Sequence, residues 1–297
     1  MPTHQILIGD AATQLATLDA GSVYCCVTSP PYFGLRDYGV DGHIGLESSV
    51  EAYVSRLVAV FREVRRVLRD DGTLWLNLGD SWGGSGKGRN ANGEHGAKCS
   101  DKQKTNAGAI TGVISKSKEE SKQLLGIPWR VAFALQSDGW ILRQDIIWHK
   151  PNPMPESVKD RCVKSHEYMF LFAKQPRYYF ETIKEPAAYA GQRRGGSKNR
   201  YEQNAAGCDS RIYDTRTKRS VWTVQPAKKR RGEVKHFATF PPDLITPCIT
   251  ASCPLGGTVL DPFAGSWTTA RVANRFGRNA ISIELNAKYL PLLEARD

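Results

Sequence analysis

The chain has 297 residues, 40 % of them hydrophobic and 24 % charged, a globular balance that excludes a disordered polymer and allows one large domain or two small ones. No run approaches the ~18 apolar residues that span a bilayer, Met1-Pro2-Thr3-His4 lacks the features of a signal peptide, and the seven cysteines form no C-x-x-C pair, which argues against a disulfide framework and a zinc site and fits a reducing cytoplasm. The net charge of +11 is uneven: residues 81–125 hold eight Lys/Arg against four Asp/Glu and residues 184–236 hold fourteen against five, as expected of two inserts that meet a polyanion, although solvated loops would carry the same excess.

Ile6-Leu7-Ile8 before Gly9-Asp10 reads as a short strand. Residues 23–28 are β-prone and almost continuously apolar, as in a strand covered on both faces. Apolar residues from Val50 to Leu68 recur at helical spacing, with Arg62, Arg65, Arg66 and Arg69 on the other face. Asp70-Asp71-Gly72 reads as the helix stop, with Gly72 at positive φ, and residues 73–78 as the next strand. Residues 81–125 lack periodicity, and so long a loop is expected to be functional or disordered. Pro128 opens a helix through Leu135, and residues 140–149 and 166–173 read as strands. The second basic insert fills 175–235. Pro241-Pro242 begins a helix to about Ile249, followed by a strand at 258–260, a helix at 268–276 stopped by Gly277, a strand at 280–283 closed by Glu284, and a last helix from about Ala287 to Leu293.

Strands alternating with helices predict an α/β fold with a mostly parallel sheet, whose ligands sit beyond the carboxyl ends of the strands. Three polar clusters fall at such ends. In Thr28-Ser29-Pro30-Pro31-Tyr32, two prolines make a rigid turn with outward-facing carbonyls, and Ser29 adds a hydroxyl. Such acceptors beside an aromatic ring suit a flat heterocycle bearing an amino group, although a turn that merely ends a strand reads the same. The run Asp261-Pro262-Phe263-Ala264-Gly265-Ser266-Trp267-Thr268-Thr269 is a small-residue turn from strand to helix, where a ligand can approach the backbone closely. Glu284 follows at the end of the next strand, the usual place for a carboxylate that accepts from ribose hydroxyls. This order points to an adenosyl ligand.

Together these segments resemble the DNA amino-methyltransferases that use S-adenosylmethionine, in the circularly permuted β subgroup. The resemblance covers nearly the whole chain and extends to residues 147–157, Ser165-His166-Glu167-Tyr168 and residues 236–242. It implies a Rossmann-like methyltransferase fold, a mostly parallel twisted sheet with helices on both faces. The core would come in three pieces, 1–80, 126–174 and 236–297, with a basic loop at 81–125 and a target-recognition region at 175–235. It implies catalysis at Ser29, Pro30, Pro31 and Tyr32 on the amino group of a flipped adenine or cytosine. Asp10, His236, Thr239, Asp261, Phe263, Ala264, Gly265, Ser266, Thr268 and Glu284 would hold the cofactor, with a helix cap as the other reading of Asp10. Arg36, Arg193, Arg194, Lys198, Arg200, Arg216, Lys218 and Arg219 are the candidate contacts to double-stranded DNA. No metal and no membrane are expected. Members often pair, which raises a homodimer, and the setting would be the cytoplasm of a bacterium or archaeon, or a phage-encoded activity. An RNA methyltransferase on the same fold and a silent DNA-binding protein are the two other readings. One departure stands out: the family's turn reads D-P-F-x-G-S-G-T-T, and Trp267 replaces the last glycine. Either that position has ordinary φ here or the turn is remodelled, the indole packing over the cofactor or against the sheet.

Overall fold

Strand β2 (Val23–Thr28) is apolar at nearly every position because both its faces are covered. Cys26 packs into one core with Leu74, Leu76 and Leu78 of β3 (Leu68–Leu78), while Cys25 and Val27 enter a second core with Trp75. Each strand thus feeds both cores by its two-residue alternation. The structure, a computed structural model, describes residues 1–34, 40, 42–83, 122–153, 155–187, 214–227 and 240–291.

The remaining strands are β1 (His4–Ile8), β4 (Ile141–His149), β5 (His166–Ala173), β6 (Lys184–Pro186), β7 (Thr215–Thr217), β8 (Val221–Thr223), β9 (Thr258–Asp261) and β10 (Asn279–Glu284). Eight strands form one sheet in the order β1-β10-β9-β2-β3-β5-β4-β8, and β6 pairs with β7 separately. The strands from β1 to β3 in that order run parallel; β5 is antiparallel to both β3 and β4, and β8 runs parallel to β4. Helices α1 (Ala11–Ala16), α2 (Val50–Val67) and α3 (Ile127–Ser137) bury Leu15, Leu57, Phe61 and Val131 in the first core. Helices α4 (Pro242–Ser252) and α5 (Thr268–Arg275) bury Leu244, Ile249 and Ala273 in the second, on the opposite face.

Several boundaries differ from the sequence expectation. Helix α2 is capped by Ser49, whose side chain accepts from the Ala52 N–H at 3.1 Å, but it ends at Val67 and passes directly into β3. Gly72 therefore sits inside an 11-residue strand and has no positive φ. Its glycine identity answers a different need, since a Cβ there would stand 2.9 Å from the Arg69 carbonyl oxygen and 3.1 Å from that of Tyr24. In the second basic insert β8 extends the main sheet, a strand without a periodicity signal because only Trp222 of its three residues is buried. Residues 287–289 form one 3-10 turn rather than the start of a regular helix. Among the described residues no helix is long and apolar enough to cross a membrane.

Candidate active site

The chain leaves β9 toward β10 and leaves β2 toward β3, so the carboxyl ends of these two neighbours form the point where strand order reverses. The hydroxyl of Thr28 donates to Asp261 Oδ1 at 2.6 Å across this point. The same oxygen accepts the Phe263 N–H at 3.1 Å, and Oδ2 accepts the Thr269 hydroxyl at 2.7 Å. Burial raises the Asp261 carboxyl above its ordinary value, and these three hydrogen bonds oppose the rise. Asp261 therefore builds the turn with both oxygens.

The turn continues through two left-handed residues, Gly265 at φ 50° and Trp267 at φ 63°. The indole keeps the conformation that glycine would supply and packs, fully buried, beside Ala264 and Tyr289 and edge-on to His4. Its N–H donates to the Tyr289 carbonyl at 3.0 Å. Neither ordinary φ nor a ring over the ligand site is found. Glu284, at the end of β10, receives the Gly265 N–H at 2.8 Å and the Asn286 N–H at 2.9 Å. Burial raises its carboxyl as well, against these backbone donors. Asp10 caps α1 through Thr13, its Oδ1 taking the N–H at 3.0 Å and the hydroxyl at 3.1 Å. The Gly9 N–H joins the Glu284 carbonyl at 2.9 Å, which brings Asp10 and Glu284 to one end of the sheet.

The Pro-Pro turn follows β2. The expectation of two outward carbonyls needs correction: the Pro31 carbonyl is taken by the Tyr53 hydroxyl at 2.9 Å, from inside the first core. Among the described residues no donor reaches the Pro30 carbonyl. The Tyr32 hydroxyl lies 2.8 Å from Glu167 Oε2 and 3.1 Å from Asn77 Oδ1, with Ser29 Oγ at 3.4 Å. Burial, and then the Glu167 charge, push the phenol well above its ordinary value, so it remains a donor.

Both walls line one cavity of about 990 Å³, including its open mouth. Asp10, Ser29, Pro30, Pro31, Tyr32, Asp261, Phe263, Ala264, Gly265, Ser266, Thr268 and Glu284 all face it. So does Phe240, from the 236–242 segment of the resemblance, and so do residues for which the sequence offered no motif: His43, Ile44, Leu285, Asn286 and Tyr289. The stretch around His43 is fastened from behind by Arg56, which donates to the Gly42 and His43 carbonyls and pairs with Glu47. Its only sequence trace is the glycine pair Gly42 and Gly45, both at positive φ. Arg36, Arg193, Arg194, Lys198, Arg200, His236 and Thr239 lie outside the described residues. Arg216, Lys218 and Arg219 do not line the cavity; the two arginines share Glu185, at 2.8 and 3.5 Å, and Lys218 lies over Trp222. Among the described residues no group of three or more His, Cys, Asp or Glu could hold a metal ion.

A doubly covered, mostly parallel sheet with an acidic, glycine-turned cavity wall at its switch point defines a Rossmann-like protein with room for a nucleoside-type ligand. A family model described as DNA methylase matches residues 23–295, and the chain belongs to that family, the N6/N4 amino-methyltransferases of DNA that act with S-adenosylmethionine. It is 46 % identical over 290 residues to the Type II methyltransferase M.XycI of Xanthomonas campestris pv. cyanopsidis, covering 97 % of this chain and 85 % of the relative. Among solved structures, the PvuII DNA methyltransferase (cytosine-N4-specific) superposes with a TM-score of 0.65 at 18 % identity, over 98 % of this chain and 86 % of that one. A putative DNA modification methylase from Thermus thermophilus, complexed with S-adenosyl-L-methionine, gives 0.57 at 24 % identity over 99 % and 94 %. These two likenesses concern the fold.

Proposed function

We propose that the cavity holds S-adenosylmethionine against its Asp10, Asp261–Ser266, Thr268 and Glu284 wall and an exocyclic amino group of DNA at Ser29-Pro30-Pro31-Tyr32. The single observation that carries this reading is that both walls line the same cavity. The chemistry of the acidic wall fits the cofactor. Glu284 has both oxygens anchored by backbone N–H groups, and each retains lone-pair capacity for a ribose hydroxyl. Phe263, Ile44 and Leu285 offer apolar surface for an adenine ring. When bound, the cofactor supplies an electrophilic methyl group on a sulfonium sulfur.

The other steps belong to this chain. The amino nitrogen of a nucleobase is a weak nucleophile because its lone pair is delocalised into the ring. The Pro30 carbonyl and the Ser29 hydroxyl accept its two N–H hydrogens, pull the nitrogen toward a pyramidal geometry and favour the positive charge that develops there. Tyr32 stacks on the base, and the Pro-Pro turn with the Tyr53–Pro31 hydrogen bond keeps these acceptors fixed. The target base must leave the helical stack to reach the turn. Ser29 at its first position is common in cytosine-N4 members and occurs in adenine-N6 members too, so the amino group is N4 of cytosine or N6 of adenine. Arg36 and the basic residues of 184–236, including Arg193, Arg194, Lys198, Arg200, Arg216, Lys218 and Arg219, contact duplex DNA, and His236 and Thr239 share in holding the cofactor. The core pieces 1–80, 126–174 and 236–297 then carry chemistry and the two inserts carry recognition, in a cytoplasmic enzyme that acts as a homodimer.

The test is incubation of duplex DNA and, separately, RNA with labelled methyl donor, followed by nucleoside mass spectrometry. Label in N4-methylcytosine or in N6-methyladenine of DNA supports the reading and decides the target base, and label confined to RNA or absent overturns it. Sedimentation of the free protein tests the dimer.

A further inference from the structure

Glu167 and Lys150 lie outside the cavity lining, yet they reach it through one side chain. We propose that Glu167, held by Lys150, is a positioning residue that fixes the plane of the Tyr32 ring against the target base. This rests on the reading of Ser29–Tyr32 as the base-binding turn.

The two prolines fix φ at positions 30 and 31 and so restrict the chain that leads into Tyr32, but they leave its χ1 and χ2 free. Two contacts remove that freedom. One edge of the ring lies on Gly79, where a Cβ would stand 2.7 Å from Tyr32 Cε2. The far end is held by its hydroxyl, 2.8 Å from Glu167 Oε2. Asn77 Oδ1 is also in reach at 3.1 Å, but one phenolic proton serves one acceptor at a time and a carboxylate is the stronger. Glu167 is itself held on both oxygens. It faces Trp148 across the antiparallel β4–β5 pair, and its other oxygen takes the Lys150 ammonium, which lies 4.3 Å over the Trp148 ring. The Lys150 N–H is tied to the Ser165 carbonyl at 2.8 Å. A carboxylate bound by an ammonium on one side and a phenol on the other, away from the cavity, orients and does not take the substrate proton. Residues 147–150 and 165–168 thus act on the reaction through a single ring.

The experiment is single-turnover methylation of unmodified duplex DNA by the wild type, Glu167→Ala, Glu167→Gln, Tyr32→Phe and the Tyr32→Phe/Glu167→Ala double variant, with cofactor affinity measured in parallel. Loss of the tether is expected to slow transfer about tenfold, because small misplacements of a positioning group cost up to ~100-fold. Glu167→Gln, whose amide oxygen still accepts the phenol, recovers most of the rate, and cofactor affinity stays at the wild-type value. The decisive readout is the cycle: in the Tyr32→Phe background there is no hydroxyl to hold, so Glu167→Ala adds no further loss. A full additional loss in that background, or a wild-type rate for Glu167→Ala alone, overturns the proposal. If Glu167→Ala does not fold, Tyr32→Phe decides alone: a similar slowing with unchanged cofactor affinity supports the tether, and a wild-type rate overturns it. A wild-type protein that does not methylate DNA refutes the reading of the turn, a result separate from any outcome of the cycle.

Discussion

Thr28 and Asp261 are 233 residues apart in sequence and 2.6 Å apart in space, where the hydroxyl of one closes on the carboxylate of the other. The bond joins the last residue of β2 to the last residue of β9, and so fixes the Pro-Pro turn relative to the acidic turn. Because burial raises the Asp261 carboxyl in the fold, its ionised form opposes folding, and that cost is largest above the folded pKa. The Thr28 donor offsets the cost only while the carboxylate is charged. Thr28→Val is therefore expected to destabilise by about 1.5–3 kcal/mol at neutral pH, the range for a hydrogen bond to a buried charge. The loss should shrink as pH falls toward the raised pKa. Thermal unfolding of both proteins at neutral and mildly acidic pH measures it, and an equal loss at the two pH values would contradict it.

Ser29 and Tyr53 act on the same turn from opposite sides, and their removal should separate chemistry from rigidity. Ser29→Ala deletes one acceptor at the charge that develops on nitrogen and is expected to lower kcat by ~10² with little change in stability. Tyr53→Phe removes the donor to the half-buried Pro31 carbonyl and is expected to cost about 0.5–1.5 kcal/mol of stability. Steady-state kinetics with thermal melts on both variants test the split; the expectation fails if Ser29→Ala keeps its turnover.

Glu284 sits where an amide cannot substitute. One of its oxygens receives the Gly265 N–H and the other the Asn286 N–H, so Glu284→Gln must turn an NH2 toward one of these donors. Cofactor affinity is expected to fall at least tenfold, about 1.4 kcal/mol. Burial raises this carboxyl, so it protonates at higher pH than an ordinary glutamate. In the wild type affinity should be flat near neutrality and decline on acidification before the usual glutamate range is reached. Calorimetric titration with S-adenosylmethionine across that range gives both answers.

The acidic turn and Glu284 were legible in the sequence because strand, small-residue turn, helix, strand and carboxylate follow one another within about 25 residues. The Pro-Pro turn was legible because proline limits φ wherever it occurs. The parts that were not legible depend on distant pairing. Nothing local to Thr28 announces Asp261, whose place beside it requires β2 to lie parallel to β9. Gly72 carried a helix-stop signal, but Leu68 is drawn into the sheet and the glycine answers to the carbonyls of Arg69 and Tyr24. The cavity wall at His43 and Ile44 depends on Arg56 holding two carbonyls from α2, which no spacing rule encodes.

Electrostatic attraction to DNA should fall steeply with salt, since the basic excess is confined to two stretches. If they contact six or more phosphates, affinity drops at least ~10³-fold between ~50 and ~200 mM salt. Arg216 and Arg219 share the Glu185 carboxylate, which withholds part of their charge from a phosphate. Glu185→Gln is expected to tighten DNA binding and steepen the salt slope by about one. Fluorescence anisotropy at several salt concentrations checks both, and a flat slope for the wild type would contradict the role of these stretches.

Trp267 offers the sharpest test of packing against backbone strain. A non-glycine residue in the left-handed region costs on the order of 1–3 kcal/mol, which glycine would recover. The indole is completely buried, however, and removing a large buried aromatic side chain costs about 3–5 kcal/mol. Burial wins on these magnitudes, so Trp267→Gly should be less stable than the wild type by about 2 kcal/mol. Trp267→Ala should be worse than Trp267→Gly, because alanine keeps the strain and loses the packing. The indole N–H also holds Tyr289, which lines the cavity, so both variants should bind S-adenosylmethionine more weakly. Unfolding curves on the three proteins give the order: wild type, glycine, alanine. A glycine variant more stable than the wild type would mean that the strain, not the buried ring, dominates at this turn.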